Sequence, residues 1–74
     1  MMRLAQVQQG CEVVFISAAG GQGMMRKITD MGLISGEKMK VIQNTGHGQV
    51  IILVKGSRLA IGHKLAEKIA VREG

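Results

Sequence analysis

Eleven glycines and no prolines divide this 74-residue chain into short segments. Glycine reaches positive φ without steric penalty, so with proline absent it marks the corners. Short segments between tight corners suit a small barrel, and nothing in the chain reads as a linker, a repeat or a low-complexity tract.

The segments themselves are mostly β. Leu4 to Gly10 is a lead-in that ends in a turn at Gln9-Gly10. Cys11 to Ser17 reads as the first strand, because Val13, Val14, Phe15 and Ile16 are the β-branched and aromatic types that fit a pleated surface. Both of its faces are apolar, as expected of a strand covered on two sides. Gly20-Gly21-Gln22-Gly23 then breaks the strand, and a helix is predicted from Met24 to Met31. Met24, Met25, Ile28 and Met31 share one stripe, leaving Arg26, Lys27, Thr29 and Asp30 for water. Of the methionines on that stripe, Met25 is expected to show most on the outside. Gly32 fits a left-handed cap, with Leu33 folding back on Ile28.

After a turn at Ser35-Gly36, Glu37 to Gln43 reads as a strand with Met39 and Val41 inward and Lys38 and Lys40 outward. Asn44-Thr45-Gly46-His47-Gly48 is its loop, and Gln49 to Lys55 returns as an antiparallel partner. Gly56 turns the chain again, and Ser57 to Ile61 fits a short strand or a single turn. Gly62 to Lys68 reads as a short helix with Ile61, Leu65 and Ala66 inward. Ile69 to Arg72 supplies a last strand that closes the sheet. Strands this few and short make one sheet curled on itself, which also removes exposed edges.

Composition narrows the setting. A domain of this size buries only about 60% of its unfolded surface, so its core must be dense or helped by a metal, a disulfide or a second subunit. The doubly apolar strands Cys11 to Ser17 and Gln49 to Lys55 leave homo-oligomer formation open. Cys11 is the only cysteine, which rules out an internal disulfide and fits a reducing compartment. It reads as a small core hydrophobe. The first nine residues, MMRLAQVQQ, carry no apolar signal core. The longest strongly apolar run, Val50 to Val54, falls far short of the roughly 20 residues of a membrane helix. A soluble, cytoplasmic protein is expected.

Ten basic and five acidic residues give a net charge of +5. Charge of that sign points to a partner of opposite sign. The cations are scattered, and no Tyr or Trp is present to stack bases, so no nucleic acid is expected. The glycine turn before the helix lacks the Gly-Lys-Ser/Thr of a P-loop, and Arg26 stands where a dinucleotide fingerprint needs its third glycine. Metal motifs pack ligands close together. Here the weak candidates are His63 and Glu67, four residues apart on one helix face, and no metal or other cofactor is expected. Nucleophile, base and orienting group do not assemble in any pattern of catalysis, so no enzyme is expected.

Several segments together resemble the FeoA family. Gly20-Gly21-Gln22-Gly23-Met24-Met25-Arg26-Lys27-Ile28 is similar to its glycine turn and helix. Asp30-Met31-Gly32-Leu33-Ile34-Ser35-Gly36-Glu37 looks like its hydrophobic-Gly-hydrophobic segment, with Ser35 where the family has proline. Lys55-Gly56-Ser57-Arg58-Leu59-Ala60-Ile61-Gly62 and Ala66-Glu67-Lys68-Ile69-Ala70-Val71 complete the likeness, which covers residues 1–74 as one domain. The resemblance implies a mainly β fold, a small SH3-like barrel of about five strands with two short helices. It also implies a cytoplasmic accessory protein of bacterial ferrous iron uptake, whose partner is the cytoplasmic part of the FeoB membrane transporter. The alternative is a stand-alone SH3-like module for metal sensing or nucleic-acid binding. On the leading reading, the partner-binding residues are Met25, Arg26, Lys27, Lys55 and Arg58, because basic residues flank exposed turns beside apolar strands.

Overall fold

The computed structural model describes residues 1–74. In chain order the elements are β1 (Met2–Arg3), a 3-10 turn (Leu4–Gln6), β2 (Glu12–Ala18), α1 (Gly21–Asp30), β3 (Lys38–Asn44), β4 (Val50–Val54), β5 (Ser57–Ile61), α2 (His63–Ala66) and β6 (Ile69–Glu73). All six strands join one antiparallel sheet in the order β1-β6-β2-β3-β4-β5. The last strand does not close the sheet. β6 lies inside it, between β1 and β2, and the edges β1 and β5 do not pair with each other. The expectation that no edge is left free is therefore corrected. A two-residue strand at the N-terminus, too short to show any alternation, takes the edge position beside β6.

The core is aliphatic around one aromatic ring. Phe15 on β2, Val41 on β3, Val50 and Ile52 on β4, Ile61 on β5 and Val71 on β6 are fully buried together with Ile28 and Leu33. No polar or charged side chain is buried. Alternation along β3 and β4 follows the pleat: Met39 and Val41 point in while Lys38 and Lys40 point out, and Val50, Ile52 and Val54 point in around Leu53. The register slips between Val41 and Gln43, so Ile42 forms a bulge against β4.

The helix begins earlier than its apolar stripe suggests. α1 starts at Gly21, so two glycines of the turn lie inside its first turn, and only Ile28 on it is fully buried. Its end is as expected. Gly32 has φ +98°, its N–H donates to the Thr29 carbonyl at 2.9 Å, and the Leu33 N–H donates to the Ile28 carbonyl at 3.2 Å. That pair of bonds satisfies the last carbonyls of the helix and brings Leu33 beside Ile28 in the core. α2 is a single turn, shorter than its apolar pattern, with Ile61 and Ala66 buried and Leu65 half-buried.

Cys11 is exposed, not part of the core. Its expected place in the core rests on the habit of free cysteine to pack as a small hydrophobe. The strand begins only at Glu12, however, and Cys11 sits in the turn before it, donating its N–H to the Gln8 carbonyl at 3.2 Å.

Candidate partner-binding site

The five residues picked from the sequence fall in two places. Met25, Arg26 and Lys27 lie on α1, which packs against β2. Arg26 and Lys27 are exposed. Met25 is half-buried like Met24 and Met31, so it does not stand out from the stripe. Its sulfur accepts the Ala18 N–H at 3.3 Å, drawing the side chain onto the end of β2.

Lys55 is the first residue of the two-residue turn between β4 and β5, and Arg58 is the second residue of β5. Lys55 and Gly56 both have positive φ, +52° and +77°, as a tight hairpin turn of the twisted sheet requires. The Lys55 Nζ meets the Glu37 carboxylate at 3.3 Å. Lys55 also lines a small hollow of about 160 Å³ with Met31, Gly32 and Leu59, which joins the end of α1 to this hairpin. Arg58 turns the other way. It stands opposite Leu53 in register and borders a shallow depression of about 370 Å³ formed by Ile42, Gln43, Ile51 and Ala60 on the outer face of the sheet.

His63 and Glu67 do come together, with Nε2 3.5 Å from the carboxylate across one turn of α2. His63 Nδ1 is buried without a hydrogen-bond partner. No group of three or more His, Cys, Asp or Glu side chains gathers here or elsewhere. Two ligand atoms on one exposed turn do not make a tetrahedral centre. The widest groove, about 560 Å³, runs between the N-terminal segment and the end of β6, past Cys11, Glu12 and Glu73. It brings no nucleophile–base pair together. All ten Lys and Arg side chains are exposed, and no helix is long and apolar enough to cross a membrane. What the arrangement offers is surface: cations at the rim of apolar patches.

Reasoning from sequence missed two features. One is the set of apolar residues facing outward on β3, β4 and β5, namely Ile42, Ile51, Leu53 and Ala60. Each reads as ordinary strand content until the bulge and register fix its face. The other is Asn44, read as the start of a loop. It is the last residue of β3 and ties the hairpin to the N-terminal segment. Its amide nitrogen donates to the carbonyls of Ala5 at 3.0 Å and Val7 at 2.7 Å, and its oxygen accepts the Gly46 N–H at 3.0 Å.

Comparison with known proteins gives the same picture of a small, mainly β domain. Residues 2–73 match the family model described as "FeoA domain". The protein called "Putative Fe(2+) transport protein A" of Methanocaldococcus jannaschii is 44% identical over 73 residues, covering 99% of this chain and 88% of that one. A crystal structure described as iron uptake regulatory protein (FeoA) superposes with a TM-score of 0.89 at 32% identity, covering 99% of this chain and 97% of the other. The FeoA protein of Chlorobium tepidum superposes at 0.82 with 27% identity, covering 97% of this chain and 70% of that one. A manganese-dependent transcriptional repressor in complex with manganese superposes at 0.86 with 15% identity, over 36% of its length. That likeness shows a shared SH3-like fold alone. With 72 consecutive positions accounted for by one family model and the same mainly β fold in its solved members, the chain belongs to the FeoA domain family.

Proposed function

We propose that this protein serves ferrous iron uptake in the cytoplasm as a non-enzymatic accessory that docks on the cytoplasmic part of a FeoB-type membrane transporter. The observation that carries this reading is the family match over residues 2–73, joined by 44% identity to the protein called "Putative Fe(2+) transport protein A". The molecule's own surface supports it. Exposed cations and a core free of polar or charged residues suit holding another macromolecule better than performing chemistry. On this reading Met25, Arg26, Lys27, Lys55 and Arg58 are contact residues. Arg26 and Lys27 offer charge on the free side of α1. Lys55 and Arg58 offer it at the far hairpin.

The decisive experiment is ferrous iron uptake in cells whose only copy of this protein carries Arg26→Glu and Lys27→Glu. Uptake should fall towards that of cells lacking the protein. Uptake equal to wild type, with the variant present at normal abundance, removes α1 from the contact surface. Direct binding is read by retaining the purified protein on an immobilised transporter cytoplasmic domain, and absence of retention at low salt rejects the docking reading itself.

A further inference from the structure

We infer that the outer face of β3, β4 and β5 is a docking surface for an acidic, aliphatic-rich segment of a partner protein. The inference rests on the docking reading above, with the segment belonging to the transporter. β3, β4 and β5 hold Lys38, Lys40 and Arg58 and not one Asp or Glu. Register sets the layout. Lys40, Leu53 and Arg58 stand side by side across the three strands, and Gln43, Ile51 and Ala60 form the next row beside the bulged Ile42. The result is an aliphatic centre, with Leu53 37% exposed, bracketed by cations on both sides.

Neither cation next to Leu53 is held in an ion pair. Among the lysines and arginines only Lys55 is in an ion pair, with Glu37; Arg58 is unpaired, and Lys40 stands across from Glu12 on β2 without an ion pair. Exposed apolar surface rimmed by polar groups marks an interaction site, and charge on the rim selects the sign of the partner. That charge argues against a second copy of this chain, since two such faces would bring like charges together. The aliphatic centre argues against nucleic acid. It offers no aromatic ring for a base to stack on, the one ring in the chain, Phe15, being fully buried.

The test measures affinity for the purified transporter cytoplasmic domain by calorimetry at about 0.1 M salt. Two variants alter the face, Lys40→Glu with Arg58→Glu, and Leu53→Asp. A control, Lys64→Glu with Lys68→Glu, makes the same change in net charge on and just after α2. Thermal unfolding confirms that each variant is folded. The expected result is at least about a tenfold loss for both face variants and little change for the control. Wild-type binding that the face variants leave intact overturns the inference while the docking reading stands.

Should the wild-type protein not bind that domain, the docking reading fails and the face is tested alone. The probe is then a synthetic peptide of alternating glutamate and leucine, followed by amide shifts at low salt. Shifts centred on Ile51, Leu53 and Ala60 support the face. Shifts elsewhere, or none, overturn it. A dimer broken by Leu53→Asp, or an oligonucleotide displaced by the same change, also overturns it, because the occupant would then be of another kind.

Discussion

Replacing Asn44 with alanine should destabilise the domain far more than a change at a hairpin end normally does. The Asn44 side chain makes three hydrogen bonds, to the Ala5 and Val7 carbonyls and from the Gly46 N–H. The two carbonyl bonds are part-buried and span 39 and 37 residues of sequence. A net hydrogen bond contributes about 0.5–1.5 kcal/mol, and a buried partner left unsatisfied costs about 1–3 kcal/mol. Part-burial lets water recover some of that loss, so Asn44→Ala should cost about 2–3 kcal/mol. A chain of this size has a total stability of roughly 4–11 kcal/mol, so the loss is a large fraction. It corresponds to a fall in Tm of roughly 10–20 °C.

Urea unfolding followed by far-ultraviolet circular dichroism measures the effect. Hydrogen exchange should show the added openings concentrated between Leu4 and Gly10. Asn44→Asp separates the contributions. It keeps the acceptor for the Gly46 N–H but points a carboxylate oxygen at two carbonyl oxygens, so it should be no more stable than Asn44→Ala. A loss under about 0.5 kcal/mol for Asn44→Ala, or an Asp variant clearly more stable than the Ala variant, refutes the argument.

Other outcomes follow from the same structure. Gly32→Ala should cost about 1 kcal/mol by denaturant titration, from backbone strain alone, since a Cβ there meets nothing within 4 Å. Lys55→Asn should raise stability by about 0.5 kcal/mol, because Asn tolerates positive φ in this hairpin turn, a gain partly offset by loss of the ion pair to the half-buried Glu37. An unchanged or lower midpoint counts against that assignment of the turn. Phe15→Ala removes the single core ring at a cost of about 3–5 kcal/mol, enough to leave much of the chain unfolded at 37 °C as read by circular dichroism. Cys11 should react with a maleimide in the native protein as fast as in urea, since its side chain is exposed. Protection of the native thiol would contradict the turn placement.

The sequence by itself determined the local structure. Alternation along Lys38 to Val41 and Val50 to Val54 depends on a two-residue period that needs no tertiary information, and both stretches face as that period requires. The end of α1 was equally legible, because Gly32 and Leu33 carry the cap in their own backbone and side chain. Seven of the eleven glycines hold positive φ, so their use as corner marks was sound. The family likeness was readable too, being carried by short motifs in order.

What the sequence left undecided depends on contacts between distant segments. Cys11 reads by residue type as a core hydrophobe and lost that place because the strand starts one residue later. β1 shows no pattern in two residues and becomes an edge only by pairing with β6. Asn44 is a good turn former on any local scale, and only folding brings the Ala5 and Val7 carbonyls to its amide. The outward cluster of Ile42, Ile51, Leu53 and Ala60 comes from three strands and a one-residue bulge. Local propensity acts over a few bonds and is written in neighbouring residues. Register, edge position and side-chain anchoring are set by which strands meet, and that is settled only when the whole sheet packs around its core.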